Sequence, residues 1–295
     1  MKIGLYNLEP KIKNLALEKL RLYHQRHGDS VIDCLPLEVN NLDLIYASSI
    51  FDWTPKQYIL PTMLTGGTGF DLKTVLPPEV EAIQPHLNFG FTTRGCIRKC
   101  PFCVVPRKEG NIRVVSDLTG LWDGKTRQII LYDNNILALP EHFAFICSQA
   151  RQYDLELDFN QGLDHRLLTP EIVDIMKSIR HHEYRFAFDY PSYITSVESA
   201  IRLLQSKGIN RCSWYVLVGF NTDLKEDLFR LNYLREHNQI AYVQRYKSKG
   251  KKLGREYVAL ARWANQHHIY RGMTWQQFLN HPENKAYKYL LELHE

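Results

Sequence analysis

The chain has 295 residues, of which 44% are hydrophobic, and its formal net charge is +5 at pH 7. This length supports one large or two modest domains, and the mildly basic charge falls well short of that of a dedicated nucleic-acid binder. No apolar stretch approaches the roughly 18 residues of a membrane-spanning helix, and Met1–Tyr6 lacks a signal peptide's apolar region, so we expect a cytoplasmic, non-membrane protein.

Residues 1–84 are predicted to form a small α/β domain. Apolar runs indicate strands at Lys2–Tyr6, Val31–Leu35 and Leu42–Ala47, and a helical stripe over residues 12–23 ends at Gly28. Strands alternating with helices favour a parallel sheet covered by helices. Cys34 lies within an apolar strand and is interpreted as a core residue.

A glycine-rich turn at residues 66–69 has two readings. Glycines allow the backbone to approach a phosphate or ribose, but this turn does not join a first strand to a helix, as a dinucleotide-binding turn does. A simple turn is the alternative. The prolines at Pro77 and Pro78 then predict a linker before the next domain.

Beyond residue 85, strands and helices alternate as in a barrel of βα units. Strands are predicted at His86–Thr92, Gln128–Tyr132, Leu155–Asn160, Tyr184–Asp189, Ser213–Val218 and Ile240–Tyr246. Six strands predict a partial (β/α)6 TIM-like barrel over residues 85–246. Cys147, on an apolar helix face, and Cys212, at the start of a strand, are interpreted as core residues.

Residues 247–295 are predicted to form a helical C-terminal extension. A basic run precedes it and consists of Arg245, Lys247, Lys249, Lys251, Lys252 and Arg255. With Trp263, His267, His268, Tyr270, Arg271 and Trp275, it resembles the mixture of cations and stacking surfaces found in nucleic-acid sites. The alternative is a solvated loop followed by a helix whose tryptophans lie in the core.

Cys96, Cys100 and Cys103 place three thiols within eight residues. Three thiolates can hold a [4Fe–4S] cluster and leave one iron open to another ligand. A zinc site would need a fourth ligand that does not follow in the sequence, and disulfides need an oxidising compartment. Buried structural thiols are a further alternative, although the cations around this segment favour thiolates.

Polar clusters follow several of the predicted barrel strands. Asp133–Asn135 follows the second strand, Asn160–Gly162 the third and Gly219–Asn221 the fifth, while the cysteines follow the first. Because ligand-handling residues of such barrels sit at the carboxyl ends of strands, these clusters are expected to share one edge.

The Cys-x3-Cys-x2-Cys spacing, with Phe102 before the last cysteine, resembles the signature of the radical S-adenosylmethionine (radical SAM) superfamily. The resemblance covers roughly residues 86–246. It implies that SAM chelates the open iron and that the reduced cluster cleaves SAM to a 5′-deoxyadenosyl radical, which abstracts a substrate hydrogen. It also implies an electron donor such as flavodoxin or ferredoxin.

The resemblance assigns roles by position. Asp133, Asn134 and Asn135 stand where many members have a Gly-Gly-Glu run that receives the SAM amino group. Asn160, Gln161 and Arg166 would contact the SAM ribose and carboxylate, since arginine binds carboxylates in a bidentate manner. Phe102 and Gly219 would lie near adenine. The alternative for Arg166 is a surface cation.

Residues 1–84 resemble the Rossmann-like cobalamin-binding domain that precedes the barrel in one branch of the superfamily. They lack an Asp-x-His-x-x-Gly stretch for an axial histidine, although some members bind cobalamin without it. Methylthiotransferases carry three further N-terminal cysteines, whereas this segment has only Cys34.

Three functions therefore remain open. The first is a radical SAM enzyme acting on a nucleotide or nucleic-acid base, the second a cobalamin-dependent radical SAM methyltransferase, and the third a non-enzymatic nucleic-acid-binding protein with a structural metal. Proton-transfer groups in an enzyme could include His165, His181, His182 and Asp189, for which simple solvation is the alternative. The sequence assigns no catalytic residue.

Overall fold

The computed structural model describes residues 1–35, 41–248, 250 and 252–291. It contains two compact units, Met1–Thr126 and Arg127–Glu295. Residues 85–126, which include the three-cysteine segment, belong to the first unit. The predicted domain limits at residues 84 and 246 stay predictions.

The first unit begins with a parallel four-stranded sheet of order β2-β1-β3-β4. Its elements are β1 Lys2–Asn7, α1 Leu15–Arg26, β2 Ser30–Asp33, β3 Leu44–Ser48, β4 Leu64–Gly66, α2 Pro78–Glu81, β5 Phe89–Gly90, β6 Thr93–Arg94, α3 Val105–Lys108 and β7 Arg113–Val114. The three predicted strands and the helix are confirmed. The glycine-rich turn predicted at 66–69 begins one residue later, because Gly66 pairs with Ser48 in the sheet.

The strand pattern of the first sheet explains its core. Ile3 and Leu5 alternate along β1 and pack with Leu17 and Leu20 of α1. Cys34 is buried in a separate cluster with residues of β3, as its interpretation as a core residue predicts. The apolar face of α1 thus holds the helix on the sheet.

The predicted strand His86–Thr92 is wrong in extent. His86 and Asn88 have φ angles of +48° and +60°, which no extended strand adopts. Only Phe89–Gly90 remains extended there, and Thr93–Arg94 forms a separate antiparallel pair with Arg113–Val114. The cysteine segment is the loop of this short hairpin.

The second unit alternates strands with helices over most of its length and ends in successive helices. Its elements are β8 Gln128–Leu131, α4 Pro140–Gln152, β9 Glu156–Phe159, α5 Pro170–Lys177, β10 Arg180–His181, β11 Arg185–Ala187, α6 Ile194–Ser206, β12 Ser213–Val218, α7 Leu224–Glu236, β13 Ile240–Arg245, α8 Arg255–Ala264, α9 His267–Gly272 and α10 Trp275–Asn280, with 3-10 helices at Ile136–Ala138, His165–Leu167, Pro191–Tyr193 and Pro282–Leu291. Five strands were predicted within this unit, and all five are present.

The pairings among strands β8 to β13 that the structure describes are parallel. Strand β9 pairs with β8 and β10, and β12 pairs with β11 and β13. The backbone N–H of Leu163 donates to the carbonyl of Arg185 over 2.7 Å and links the two sets. The fold is therefore mixed α/β with parallel sheets, and closure into a partial barrel stays a prediction.

The C-terminal helices close over their own aromatic core. Trp263, Tyr270 and Trp275 are almost entirely buried, so the core interpretation of the tryptophans is confirmed and these rings have no exposed face for stacking on a nucleic acid. Of the predicted basic run, Lys249 and Lys251 lie outside the described residues. No helix in the described parts of the chain is long and apolar enough to cross a membrane.

Candidate functional site

The cysteine loop is fastened at its start by one carboxylate. Glu109 accepts a hydrogen bond from the backbone N–H of Gly95 (2.9 Å) and forms an ion pair with Arg94 (2.9 Å). Gly95 has a φ of +83°, and a Cβ there would lie 2.3 Å from the carbonyl oxygen of Asn111. Only glycine fits this approach of the two hairpin arms.

The three motif thiols differ from the other cysteines in exposure. Cys96, Cys100 and Cys103 are partly exposed, whereas Cys34, Cys147 and Cys212 are buried. Burial raises the pKa of Cys147 and of Cys212 to about 12, so both remain protonated thiols. The core interpretation of these two residues is thereby confirmed.

The loop backbone already points one donor at a motif sulfur. The N–H of Arg98 lies 3.3 Å from Sγ of Cys96, a contact that stabilises a thiolate and tunes a cluster. Across the described residues, no three His, Cys, Asp or Glu side chains are gathered around one point as ligands of a single metal ion. A cubane cluster spreads its thiolates more widely than a single ion does, and the three cysteines stay its predicted ligands.

In the second unit, the carboxyl ends of the strands lie along one edge. The N–H of Asn160 donates to the carbonyl of Leu131 (3.1 Å), and the hydroxyl of Tyr215 donates to the carbonyl of Asn160 (2.9 Å). The N–H of Tyr246 donates to the carbonyl of Val218 (3.0 Å). The polar clusters that follow β8, β9 and β12 therefore share this edge, which we call the strand-end edge. That the cysteine loop also lies at this edge stays a prediction.

Asp164 joins two of the predicted site residues. It is buried, accepts a hydrogen bond from Nδ2 of Asn135 (3.1 Å), and binds Nε (2.7 Å) and Nη2 (3.2 Å) of Arg166. The Arg166 guanidinium also lies 5.0 Å from the ring centre of Tyr193. Arg166 is thus held at the edge and is not a loose surface cation.

The remaining predicted site residues differ in burial. Asp133 and Asn135 are buried, Asn134, Asn160 and Phe102 are intermediate, and Gln161 is exposed. Gly219 closes β12 with a φ of +72°. These positions put carboxylate and amide groups at the strand ends, but their roles toward SAM stay predictions.

The predicted histidines occupy unlike surroundings. His165 is buried beside Trp214, and its Nε2 lies 3.0 Å from Oγ of Ser196. His181 and His182 are both exposed, although the His181 ring stacks on Tyr184 and its partial desolvation lowers its pKa. Only His165 is held inside the unit near the strand-end edge.

Asp189 lies two residues after the end of β11, where its carboxyl is largely withdrawn from solvent. Its Oδ1 accepts a hydrogen bond from the N–H of Leu217 (3.2 Å). Although the residue keeps some exposed surface, burial of the carboxyl raises its pKa, and the charges of Arg230 and Arg166 act in the opposite direction. A carboxyl with a raised pKa keeps its proton to a higher pH than an ordinary aspartate does.

A buried ion pair behind the edge was missed by sequence reasoning. Asp227 and Arg230 are both fully buried on α7 and pair with each other. Arg230 donates to the carbonyls of Phe188 (2.6 Å) and Leu217 (2.9 Å), and Asp227 accepts from the N–H of Gly219 (3.2 Å). The signal available in the sequence was a pair of opposite charges three residues apart, next to the apolar stripe of the predicted helix.

No protein-family model matches the sequence, and no curated protein sequence matches it. Among solved structures, the chain is similar to TsrM from Kitasatospora setae, a radical S-adenosylmethionine methyltransferase with cobalamin and a [4Fe-4S] cluster bound. The identity is 12%, the TM-score is 0.61, and the match covers 83% of this chain and 74% of that one.

A second similar structure is methylornithine synthase (PylB), at 12% identity. Its TM-score of 0.42, with 60% of this chain and 63% of that chain covered, is too low to establish a shared fold. The likeness to TsrM does establish one. The chain therefore shares the α/β fold of TsrM, and its sequence carries the three-cysteine spacing that resembles the radical SAM signature.

Proposed function

We propose that this chain is a radical SAM enzyme that holds a [4Fe–4S] cluster through Cys96, Cys100 and Cys103. The observation that carries the proposal is the coincidence of the three-cysteine motif with a radical SAM fold. The two observations are independent, because the spacing is a property of the sequence alone and the fold likeness exists at only 12% identity.

The cysteine loop has the features that such a cluster requires. Its thiols are accessible, Glu109 fixes the loop's first turn, and the Arg98 N–H points at a sulfur. A reduced cluster with SAM bound supplies one-electron chemistry that cleaves SAM and removes hydrogen from a substrate. The electron would come from a reductant such as flavodoxin or ferredoxin.

The strand-end edge of the second unit supplies groups suited to an amino acid ligand. In this proposal, Asp133, Asn134 and Asn135 accept hydrogen bonds from the SAM amino group, while Asn160 and Gln161 contact its ribose. Arg166 faces the SAM carboxylate from its position on Asp164, and Phe102 and Gly219 lie near adenine. Asp164 would then be a positioning residue, since it orients both Asn135 and Arg166.

For the substrate, we propose a nucleotide or a nucleic-acid base. Supporting this, the described cations Lys247, Lys252 and Arg255 are exposed and follow the carboxyl end of β13. Exposed lysines and arginines attract phosphate groups. The buried tryptophans contribute nothing to this surface.

The first test is SAM cleavage. Anaerobically reconstituted protein with dithionite and SAM should release 5′-deoxyadenosine, measured by mass spectrometry. Absence of 5′-deoxyadenosine from protein that carries a full cluster would contradict the enzyme proposal and favour a structural metal in a nucleic-acid-binding protein.

The second test addresses the ligands. Replacing Cys96, Cys100 or Cys103 by Ala should abolish the visible absorption of the cluster and reduce bound iron from about four per chain to a small residue. Cys147→Ala is the matched control, because that thiol is buried and protonated. Equal iron loss in the control would show that the variants act through misfolding.

A cobalamin-dependent radical SAM methyltransferase is the second candidate, favoured by the likeness to TsrM, whose structure has cobalamin bound. In the first unit's sheet, the chain adds β2 on one side of β1 and then β3 and β4 on the other side. The point between β1 and β3, where the strand order reverses, is where open parallel sheets bind ligands. There, however, Glu9 accepts from the hydroxyl of Ser49 (3.0 Å) and the N–H of Ile50 (3.0 Å).

The neighbouring loops are also packed tightly. A Cβ on Gly67 would lie 2.3 Å from the carbonyl oxygen of Ser49. The only histidines among residues 1–84, His24 and His27, lie on α1 or at its end, away from these loops. This packing favours a scaffold role. Reconstitution with hydroxocobalamin would decide, because bound cobalamin adds visible bands that the cluster does not produce, and their absence after gel filtration would exclude the second candidate.

A further inference from the structure

A small polar cavity lies in the second unit at the amino ends of β12 and β13. Its volume is about 270 Å³, and its lining residues are Arg235, Asn238, Gln239 and Arg271. Strand β12 separates this cavity from Gly219 and the strand-end edge by roughly 20 Å, at about 3.3 Å per residue. The cavity is therefore distinct from the proposed SAM site.

Two guanidinium groups share this cavity without an acid to neutralise them. None of the lining residues is acidic, and within the described parts of the chain neither Arg235 nor Arg271 forms an ion pair. Arg235 is half-buried and Arg271 is exposed. Two like charges beside one another in a concave site repel, and an anion between them removes that repulsion.

Arg235 is oriented by the neighbouring helix. Its Nε donates to the carbonyl of Tyr270 over 2.8 Å, which leaves the two Nη groups without a partner among the described residues. Tyr270 is itself fully buried and donates its hydroxyl to the carbonyl of Leu231. The guanidinium is thus held in place before any ligand arrives, which lowers the entropic cost of binding.

The acceptor atoms of the cavity are already used. Oδ1 of Asn238 accepts from Nη2 of Arg211 (3.1 Å), and Oε1 of Gln239 accepts from the N–H of Cys212 (3.0 Å) and Nε1 of Trp214 (3.2 Å). The side-chain polar groups that remain are donors: the Arg235 Nη groups, the Arg271 guanidinium and Nδ2 of Asn238. A site of donors and positive charge is complementary to an oxyanion.

We propose that this cavity binds a phosphate group between Arg235 and Arg271. Paired guanidinium forks match the several oxygens and the double charge of phosphate better than those of a carboxylate. The phosphate would belong either to a small ion or ester or to a polynucleotide backbone. This proposal does not rest on the radical SAM assignment, because it uses none of the proposed cofactor residues.

The test is thermal unfolding and calorimetric titration of the full chain with inorganic phosphate at constant ionic strength. Phosphate should raise the melting temperature of the wild type and bind saturably at one site. Arg271→Gln should weaken binding by about tenfold or more, as expected for loss of a charge-assisted contact. In phosphate-free chloride buffer, the same variant should melt at or above the wild-type temperature, because the repulsion is relieved.

Arg262→Gln is the matched control. Arg262 is exposed on the nearby α8, and its side chain forms no hydrogen bond or ion pair with the described residues. It should bind phosphate as the wild type does, within about twofold. Equal weakening of phosphate binding in both variants would overturn the proposed site and indicate diffuse charge attraction. An equal rise in melting temperature with acetate, or phosphate binding that does not saturate, would also overturn it.

The two sources of phosphate can be separated with a second probe. A single-stranded oligonucleotide without terminal phosphates should displace inorganic phosphate from the wild type if the natural ligand is a polynucleotide backbone. Failure to displace it, together with Arg271-dependent binding of phosphate itself, assigns the site to a small phosphate or phosphate ester.

Discussion

At the scale of single residues, backbone constraints around the cysteines matter as much as the thiols. The hairpin arms approach so closely at Gly95 that no side chain fits, and Glu109 ties the same turn to Arg94. A three-cysteine motif holds a cluster only if its loop presents the thiols together. We therefore expect the residue before Cys96 to affect binding of the proposed cluster without being a ligand.

We expect Gly95→Ala to lose most of its reconstituted iron, because its Cβ would lie 2.3 Å from the Asn111 carbonyl oxygen. Gly110→Ala is the control, since Gly110 also has a positive φ, of +74°, but a Cβ there meets no atom within 4 Å. It should lose only about 1–2 kcal/mol of stability and keep its cluster. Iron assay and visible absorption give the comparison, and equal loss in both variants would refute the role of the close approach.

Asp189→Asn should make the free energy of unfolding less dependent on pH than it is in the wild type. Because burial raises the carboxyl's pKa in the folded protein, its contribution to stability is fully present below an aspartate's ordinary pKa of about 4 and is lost as pH rises through the raised pKa. The variant's stability relative to the wild type should therefore increase with pH across this window. Urea unfolding at several pH values measures it, and a relative decrease would contradict the assigned direction.

At the scale of elements, helix α7 fixes the ends of two strands. Arg230 binds the carbonyls of Phe188, after β11, and Leu217, near the end of β12, while Asp227 holds the N–H of Gly219. These contacts set where each strand stops and the polar edge begins. Apolar packing positions α7 on the sheet. The buried ion pair determines how the amino-terminal half of α7 meets the ends of β11 and β12.

Arg230→Met should reduce the free energy of unfolding by about 3–5 kcal/mol, because it leaves Asp227 buried without its counter-charge. Arg202→Met is the matched control, since Arg202 pairs with Glu198 on the exposed face of α6 and its side chain is 77% exposed. That change should cost no more than about 0.5 kcal/mol. Urea unfolding compares the two, and similar losses would refute the importance of the buried pair.

At the scale of the whole molecule, the two units differ in how their proposed functional segments are held. The strand-end edge of the second unit rests on parallel strands with buried side chains, among them Trp214 and Val216. The cysteine loop of the first unit lies in a hairpin of two-residue strands with one four-residue helix. Regions with so few regular backbone hydrogen bonds open most readily.

Removal of the proposed cluster with a chelator should therefore affect the first unit's loop alone. Hydrogen–deuterium exchange should increase in residues 94–114 of the apo form, because a ligand that binds the folded loop stabilises it by mass action. Exchange in β12 and β13 should stay unchanged. A rise in exchange throughout both units would show that the cluster supports the whole fold.

Local patterns along the chain were enough to predict most elements and the proposed cluster ligands. Helix and strand periods are properties of neighbouring residues, so β12 was predicted to the residue, and the cysteine spacing alone pointed to a cluster. Contacts between distant residues arise only when the chain folds: Asn135 meets Asp164, and Arg235 shares a cavity with Arg271. Such pairs depend on how strands and helices pack, and no periodicity along the chain encodes them. For the same reason, the burial of Trp263 and Trp275 was settled only by the folded chain.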